Sequence, residues 1–162
     1  MAQGAQVEER DPGGEEREVT LSPVPRLYRA AGPNEDVFYG VASFSPDRET
    51  AEAYLDNPGF GGPVLYRTRK SVDPETAYDA RGRSAQLGLA RLLFPDDSPW
   101  DVVDVWEGRT SATEHLLAEI PAIRDGLPLA GFDWLIVTDD FPDGAETWIF
   151  LPSDKWVDVV AL

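Results

Sequence analysis

Short apolar runs that alternate with polar residues lie towards both ends of the chain, and apolar residues recur at helical spacing in its middle. Alternation is clearest between Pro63 and Ser71, where Val64, Tyr66 and Thr68 share one side. This two-residue period is typical of a β-strand. By the same reasoning we predict further strands over residues 26–30, 37–44, 134–138, 146–151 and 155–160.

Helical spacing predicts helices over residues 84–94 and 99–107. Ser45-Pro46 predicts an earlier helix start, with a hydroxyl cap and a proline in the first turn, and that helix should stop by Asn57. Ser111 to Glu114 matches the capping-box pattern and predicts a helix that runs to Leu127. Pro121 should end, bend or restart it. The pattern therefore predicts an α+β fold with helices in the middle of the chain.

Residues 1–20 contain Gly, Pro, Gln, Glu and Arg with almost no large apolar side chain. Such a composition cannot bury enough apolar surface to fold, so we predict a disordered acidic leader. The remaining residues, 21–162, are enough for a single domain with its own core.

The chain is strongly acidic, with 30 Asp and Glu against 14 Lys and Arg and a net charge of -16. A negative surface repels nucleic acid and anionic membranes, so we expect neither as a direct partner. A protein with a basic surface is the favoured partner. The N-terminal residues lack a basic segment followed by an apolar one, so a cytoplasmic location, in the producing or an invaded cell, is expected.

The absence of cysteine excludes disulfides, thiolate zinc sites and cysteine nucleophiles. The single histidine, His115, cannot build a multi-histidine metal site, and no metal is expected. We interpret it as an exposed residue or as a hydrogen-bonded helix residue.

Three separated fragments carry the candidate chemistry: Tyr28-Arg29, Ser43-Phe44-Ser45, and Glu146 at the start of an aromatic strand. Arginine can hold a phosphate through two parallel hydrogen bonds. A carboxylate in the same cleft can orient a ribose hydroxyl or stabilise a cationic sugar-like transition state. Together these groups indicate chemistry on NAD.

The order of these fragments resembles the ADP-ribosyltransferases, specifically the Arg-Ser-Glu class found in bacterial toxins and phage effectors. The similarity covers residues 27–159. Residues 27–30 look like the first-strand motif, residues 40–54 like the Ser-x-Ser strand and its helix, and residues 131–152 like the closing hairpin. The resemblance implies a split β-sheet core with NAD as the substrate.

The resemblance also implies roles for individual residues. Arg29 would anchor the NAD pyrophosphate or nicotinamide ribose, and Ser43 would support the nicotinamide pocket. Glu146 would be the catalytic carboxylate. Tyr28 and Phe60 are both candidates to stack on nicotinamide.

Other positions qualify this assignment. Ser45, the second serine of its motif, is a candidate NAD contact but also fits a helix cap. Gly144 stands where family members that modify arginine carry an acid or glutamine, which argues against an arginine acceptor. Asp139 and Asp140 are the alternative acids if the hairpin register is shifted.

The expected function is a mono-ADP-ribosyltransferase that uses NAD to modify a protein or another macromolecule. Two alternatives remain open. One is a catalytically silent acidic protein on the same fold that binds or inhibits a partner, for example by mimicking nucleic acid. The other is an NAD glycohydrolase, with water as the acceptor.

Overall fold

The computed structural model describes residues 25–57, 61–139 and 144–162. The predicted leader, residues 1–20, lies outside the described residues. The strands are β1 (Tyr28–Ala31), β2 (Val37–Phe38), β3 (Ala42–Phe44), β4 (Val64–Thr68), β5 (Ala77–Asp79), β6 (Trp134–Asp139), β7 (Ala145–Phe150) and β8 (Val157–Ala161). The α-helices are α1 (Arg48–Glu52), α2 (Arg83–Leu93), α3 (Pro99–Thr110) and α4 (Pro121–Leu129).

The strands form two four-stranded sheets, and the fold is of the α+β class as predicted. The first sheet has the order β1-β4-β8-β2 and the second has the order β3-β7-β6-β5. All neighbouring strands are antiparallel except β5 and β6, which are parallel.

The central hairpin β6–β7 is buried on both faces. On one face Leu135, Val137 and Ile149 pack against apolar side chains of α2, α3 and α4. On the other face Trp134 and Trp148 pack in an aromatic core shared with the first sheet. The molecule thus has three layers: helices, the second sheet and the first sheet.

The segment predicted as one strand over residues 37–44 is two strands that belong to different sheets. β2 pairs with β8 in the first sheet, and β3 pairs with β7 in the second. The chain crosses between the sheets at Gly40, where a Cβ atom would lie 2.4 Å from the backbone nitrogen of Pro152. Alternation along the sequence did not reveal this change of sheet, because both pieces are extended.

The first helix begins later than predicted and is shorter. Asp47, rather than Ser45, is its N-cap, and the Asp47 carboxylate accepts hydrogen bonds from the backbone N–H of Glu49 and the hydroxyl of Thr50. Ser45 remains in the extended chain and accepts a hydrogen bond from the backbone N–H of Asp47 through its side chain. Asp is as good an N-cap as Ser. Here Asp47 caps the helix, and Ser45 belongs to the extended segment.

The predicted capping box at residues 111–114 does not form. Ser111 ends α3 in the left-handed conformation, with φ 54°, and Glu114 instead begins a short 3-10 helix, Glu114–Glu119. Pro121 then begins α4. Of the three effects expected of this proline, to end, bend or restart the helix, the restart is the one observed. The parallel strand β5 was not predicted, because three residues are too few to show a period.

Within the described ranges, the helices all lack the length and apolar character needed to cross a bilayer.

The central hairpin should dominate stability. Leu135 is fully buried in β6, whereas Leu129 is 90% exposed at the end of α4. We expect Leu135→Ala to lower the unfolding free energy by about 2–5 kcal/mol, because it leaves a cavity in the helix-side core. Leu129→Ala, the matched control, should change it by less than about 0.5 kcal/mol. Urea denaturation of both variants measures the difference, and equal midpoints would contradict the packing argument.

Candidate functional site

A cleft of about 470 Å³ opens where β1, β3, α1 and the end of the central hairpin meet. This volume falls within the range of about 300–1,000 Å³ that is usual for small-molecule sites. The described residues that line it are Tyr28, Arg29, Ala30, Ser43, Phe44, Ser45, Thr50, Ala51, Tyr54, His115, Asp139 and Thr147.

The first two sequence motifs meet at this cleft. A single backbone bridge joins β1 to the end of β3: Tyr28 and Ser45 exchange two hydrogen bonds of 2.8 Å each. Beyond this bridge β1 continues into the first sheet and β3 into the second. Arg29 and Ser43 therefore lie side by side, and a terminal guanidinium nitrogen of Arg29 donates to the Ser43 carbonyl at 2.9 Å.

Arg29 is a cation held in largely apolar surroundings. Its guanidinium carbon lies 5.0 Å from the ring centre of Phe38 and 6.0 Å from that of Phe44. Burial lowers the pKa of Arg29, and the charge of Glu35 partly opposes this shift. The Nε atom is buried without a hydrogen-bond partner, and among the described residues no carboxylate lies within ion-pair distance. An anion bound here would compensate a desolvated charge.

The other residues predicted to contact NAD divide into two groups. Tyr28, Ser43 and Ser45 line the cleft together with Arg29. Ser43 is exposed, while Ser45 is buried and engaged with the backbone that precedes α1. Phe60 lies outside the described residues, as does the alternative acid Asp140.

Glu146 is not among the described residues that line the cleft. Side chains alternate along β7, and Glu146 shares the inter-sheet face with Trp148, whereas Thr147 faces the cleft. Its carboxylate accepts from Arg81 at 3.0 Å and from the Trp148 indole at 2.7 Å. The aromatic alternation that singled out Glu146 in the sequence thus directs it to the opposite face of the hairpin.

Among the described residues, the carboxylate that lines the cleft is Asp139, one of the two alternative acids of the hairpin. Its side chain is 18% exposed and lies beside His115, with Oδ1 at 3.3 Å from Nδ1 of the imidazole. Thr147 donates to its second oxygen at 3.5 Å. Across the cleft, burial and the charge of Asp139 raise the pKa of Tyr54 to about 12, so the phenol stays protonated at neutral pH.

His115 reaches the cleft because its neighbour Glu114 ties the 3-10 helix to two other elements. The Glu114 carboxylate accepts from the backbone N–H of Thr138 in β6 at 2.8 Å. Its other oxygen accepts from the backbone N–H of Gly82 at 2.8 Å and from the Gln86 amide at 3.3 Å. The sequence offered the histidine and an adjacent acid, but no spacing rule connected them to residue 139.

Comparisons with known proteins add no relative: no protein-family model, no curated protein and no solved structure matches this chain.

The Glu114 carboxylate should hold the cleft wall in place. We expect Glu114→Ala to lower the unfolding free energy by about 1–3 kcal/mol, because it leaves the partly buried backbone N–H of Thr138 without an acceptor. Glu119→Ala, at an exposed position of the same 3-10 helix, is the control and should be close to neutral. Thermal melting tests both, and a neutral Glu114→Ala would show that water replaces the carboxylate.

Proposed function

We propose that the cleft binds NAD and that the protein transfers ADP-ribose from it to a macromolecule. The proposal is carried by one observation: the half-buried cation Arg29, which has no ion-pair partner among the described residues, lies beside Ser43 in a cleft that also contains an acid. The pyrophosphate supplies the anion that Arg29 lacks within the described part of the chain. The exposed Ser43 adds a hydroxyl, and the aromatic ring of Tyr28 adds a stacking surface.

The reaction requires stabilisation of a cationic ribose as the nicotinamide bond breaks. A carboxylate with low exposure is well suited to this task, because its charge acts in a medium of low dielectric constant. Among the described residues that line the cleft, Asp139 is the one carboxylate. We therefore assign the cation-stabilising role to Asp139, while Glu146 supports the hairpin through Arg81 and Trp148.

The first experiment tests binding by Arg29. Calorimetry with a non-hydrolysable NAD analogue should show affinity for the wild-type protein and a loss of about 10-fold or more for Arg29→Ala, because a charged hydrogen-bond donor is removed. Arg29→Lys should recover only part of the affinity, since an ammonium group cannot bind a phosphate in the two-pronged manner of a guanidinium.

Arg67 provides the matched control for this experiment. It lies opposite Tyr28 in the neighbouring strand, and its Nε is also buried without a partner, but it does not line the cleft. Arg67→Ala should keep the affinity of the wild-type protein. Equal affinity in Arg29→Ala would remove Arg29 from the site. No binding by the wild-type protein would favour the alternative of a silent acidic binding protein.

The second experiment separates the two candidate carboxylates. Asp139→Asn should slow nicotinamide release from NAD by about 100-fold or more, because the amide keeps the shape but loses the charge. Glu146→Gln should slow it much less, since that carboxylate contacts Arg81 and Trp148 on the other face. Asp133→Asn is the control, because it removes a charge just before β6, the strand that carries Asp139.

The ranking of the two variants is the decisive result. A larger loss in Glu146→Gln than in Asp139→Asn, with melting temperatures unchanged, would restore Glu146 as the catalytic carboxylate and require the hairpin to adopt a different register when NAD binds. Full activity in both variants would leave the cleft without a carboxylate-dependent step and would contradict the proposed chemistry.

A further inference from the structure

The cleft contains a titratable side chain, His115, which the proposed NAD site does not use. Its Nδ1 is shielded from solvent, while 37% of the side chain is exposed. The accessible part of the imidazole therefore lies away from Nδ1. The His115 Nδ1 atom lies 3.3 Å from Asp139 Oδ1, which is within ion-pair distance. The two groups are not oriented for a hydrogen bond.

This arrangement gives the imidazole two different sides. On one side, the Asp139 carboxylate lies beside the shielded Nδ1. The opposite side is open to a second molecule that enters the cleft. Glu114 fixes the position of the pair, because it binds the backbone of Thr138, the residue that precedes Asp139.

We propose that His115 is the general base that accepts the proton of the attacking group, and that this group is a hydroxyl. The inference rests on the proposed NAD chemistry and deepens it by naming the acceptor class. A hydroxyl holds its proton tightly at neutral pH and benefits from a base as it attacks. A pre-existing anion has no such proton to give up.

The step balances as follows. The hydroxyl oxygen forms a bond to C1′ of the nicotinamide ribose, and the bond from C1′ to the pyridinium nitrogen breaks with its electron pair on nicotinamide. The hydroxyl proton passes to the imidazole and then to solvent. Asp139 faces the positive charge in turn, first on the ribose and then on the imidazolium. Water as the acceptor gives free ADP-ribose by the same step.

A binding experiment tests the placement of His115 without requiring turnover. Because the chain has a single histidine, its imidazole proton signals in an NMR spectrum belong to one residue. Saturation with a non-hydrolysable NAD analogue should shift these signals. If calorimetry shows binding but the imidazole signals do not move, His115 lies away from the ligand and the inference is overturned, while the proposed NAD site survives.

A kinetic experiment tests the role as a base. His115→Ala should slow nicotinamide release with water as acceptor by about 100-fold or more, with the KM for NAD changed by less than about threefold. Azide, an anionic nucleophile that has no proton to lose, should restore the rate of His115→Ala towards that of the wild-type protein in azide. Azide should accelerate the wild-type protein much less.

Two further variants secure the interpretation. His115→Gln is a second substitution of the same residue, should His115→Ala melt at a lower temperature, and Glu119→Ala on the same 3-10 helix should keep wild-type rates. An unchanged rate in His115→Ala, or a loss that azide does not restore, would overturn the general-base assignment. A wild-type protein that neither binds NAD nor releases nicotinamide would instead refute the proposed function, and the inference with it.

Discussion

Burial of the central hairpin on both faces is the constraint on which the rest of the structure depends. β6 and β7 place Leu135, Val137 and Ile149 against the helices and their aromatic residues against the first sheet. Neither face can meet water without exposing a large apolar area, so both layers must assemble on the hairpin. The cleft forms at the end of the hairpin where β6 connects to β7, because apolar residues give way there to Thr138 and Asp139.

The cleft contains charged side chains whose partial burial is unfavourable for the stability of the fold. Arg29 is desolvated by its aromatic neighbours and lacks a carboxylate partner in the described part of the chain, while Asp139 is held at low exposure beside His115. Charges placed in this way cost free energy unless a ligand or another charge compensates them. The two opposite charges stand on different walls, and the proposed reaction of NAD relies on this separation.

Glu114 illustrates how one side chain can serve the fold and the cleft together. As an acceptor for Gly82, Gln86 and Thr138, it joins the start of α2 to the end of β6. The adjacent His115 is positioned as a consequence. An N-terminal capping role would have used the same carboxylate locally, but contacts distant in sequence provide better-placed donors, and they outweigh the local motif.

The sequence by itself determined the α+β class, the central hairpin and the helices predicted over residues 84–94 and 99–107, which the structure has at 83–93 and 99–110. Each depends on a long period or on strong local chemistry. It also brought forward Arg29, Ser43 and Ser45, which the bridge between β1 and β3 places together. Tertiary structure decided what local patterns cannot encode: the change of sheet at Gly40, the short parallel strand β5, and the face of the hairpin on which each acid lies. Alternation fixes which residues share a face of a strand, but it does not fix which face lines a cleft. For that physical reason the sequence could not decide that Asp139 lies in the cleft and Glu146 does not.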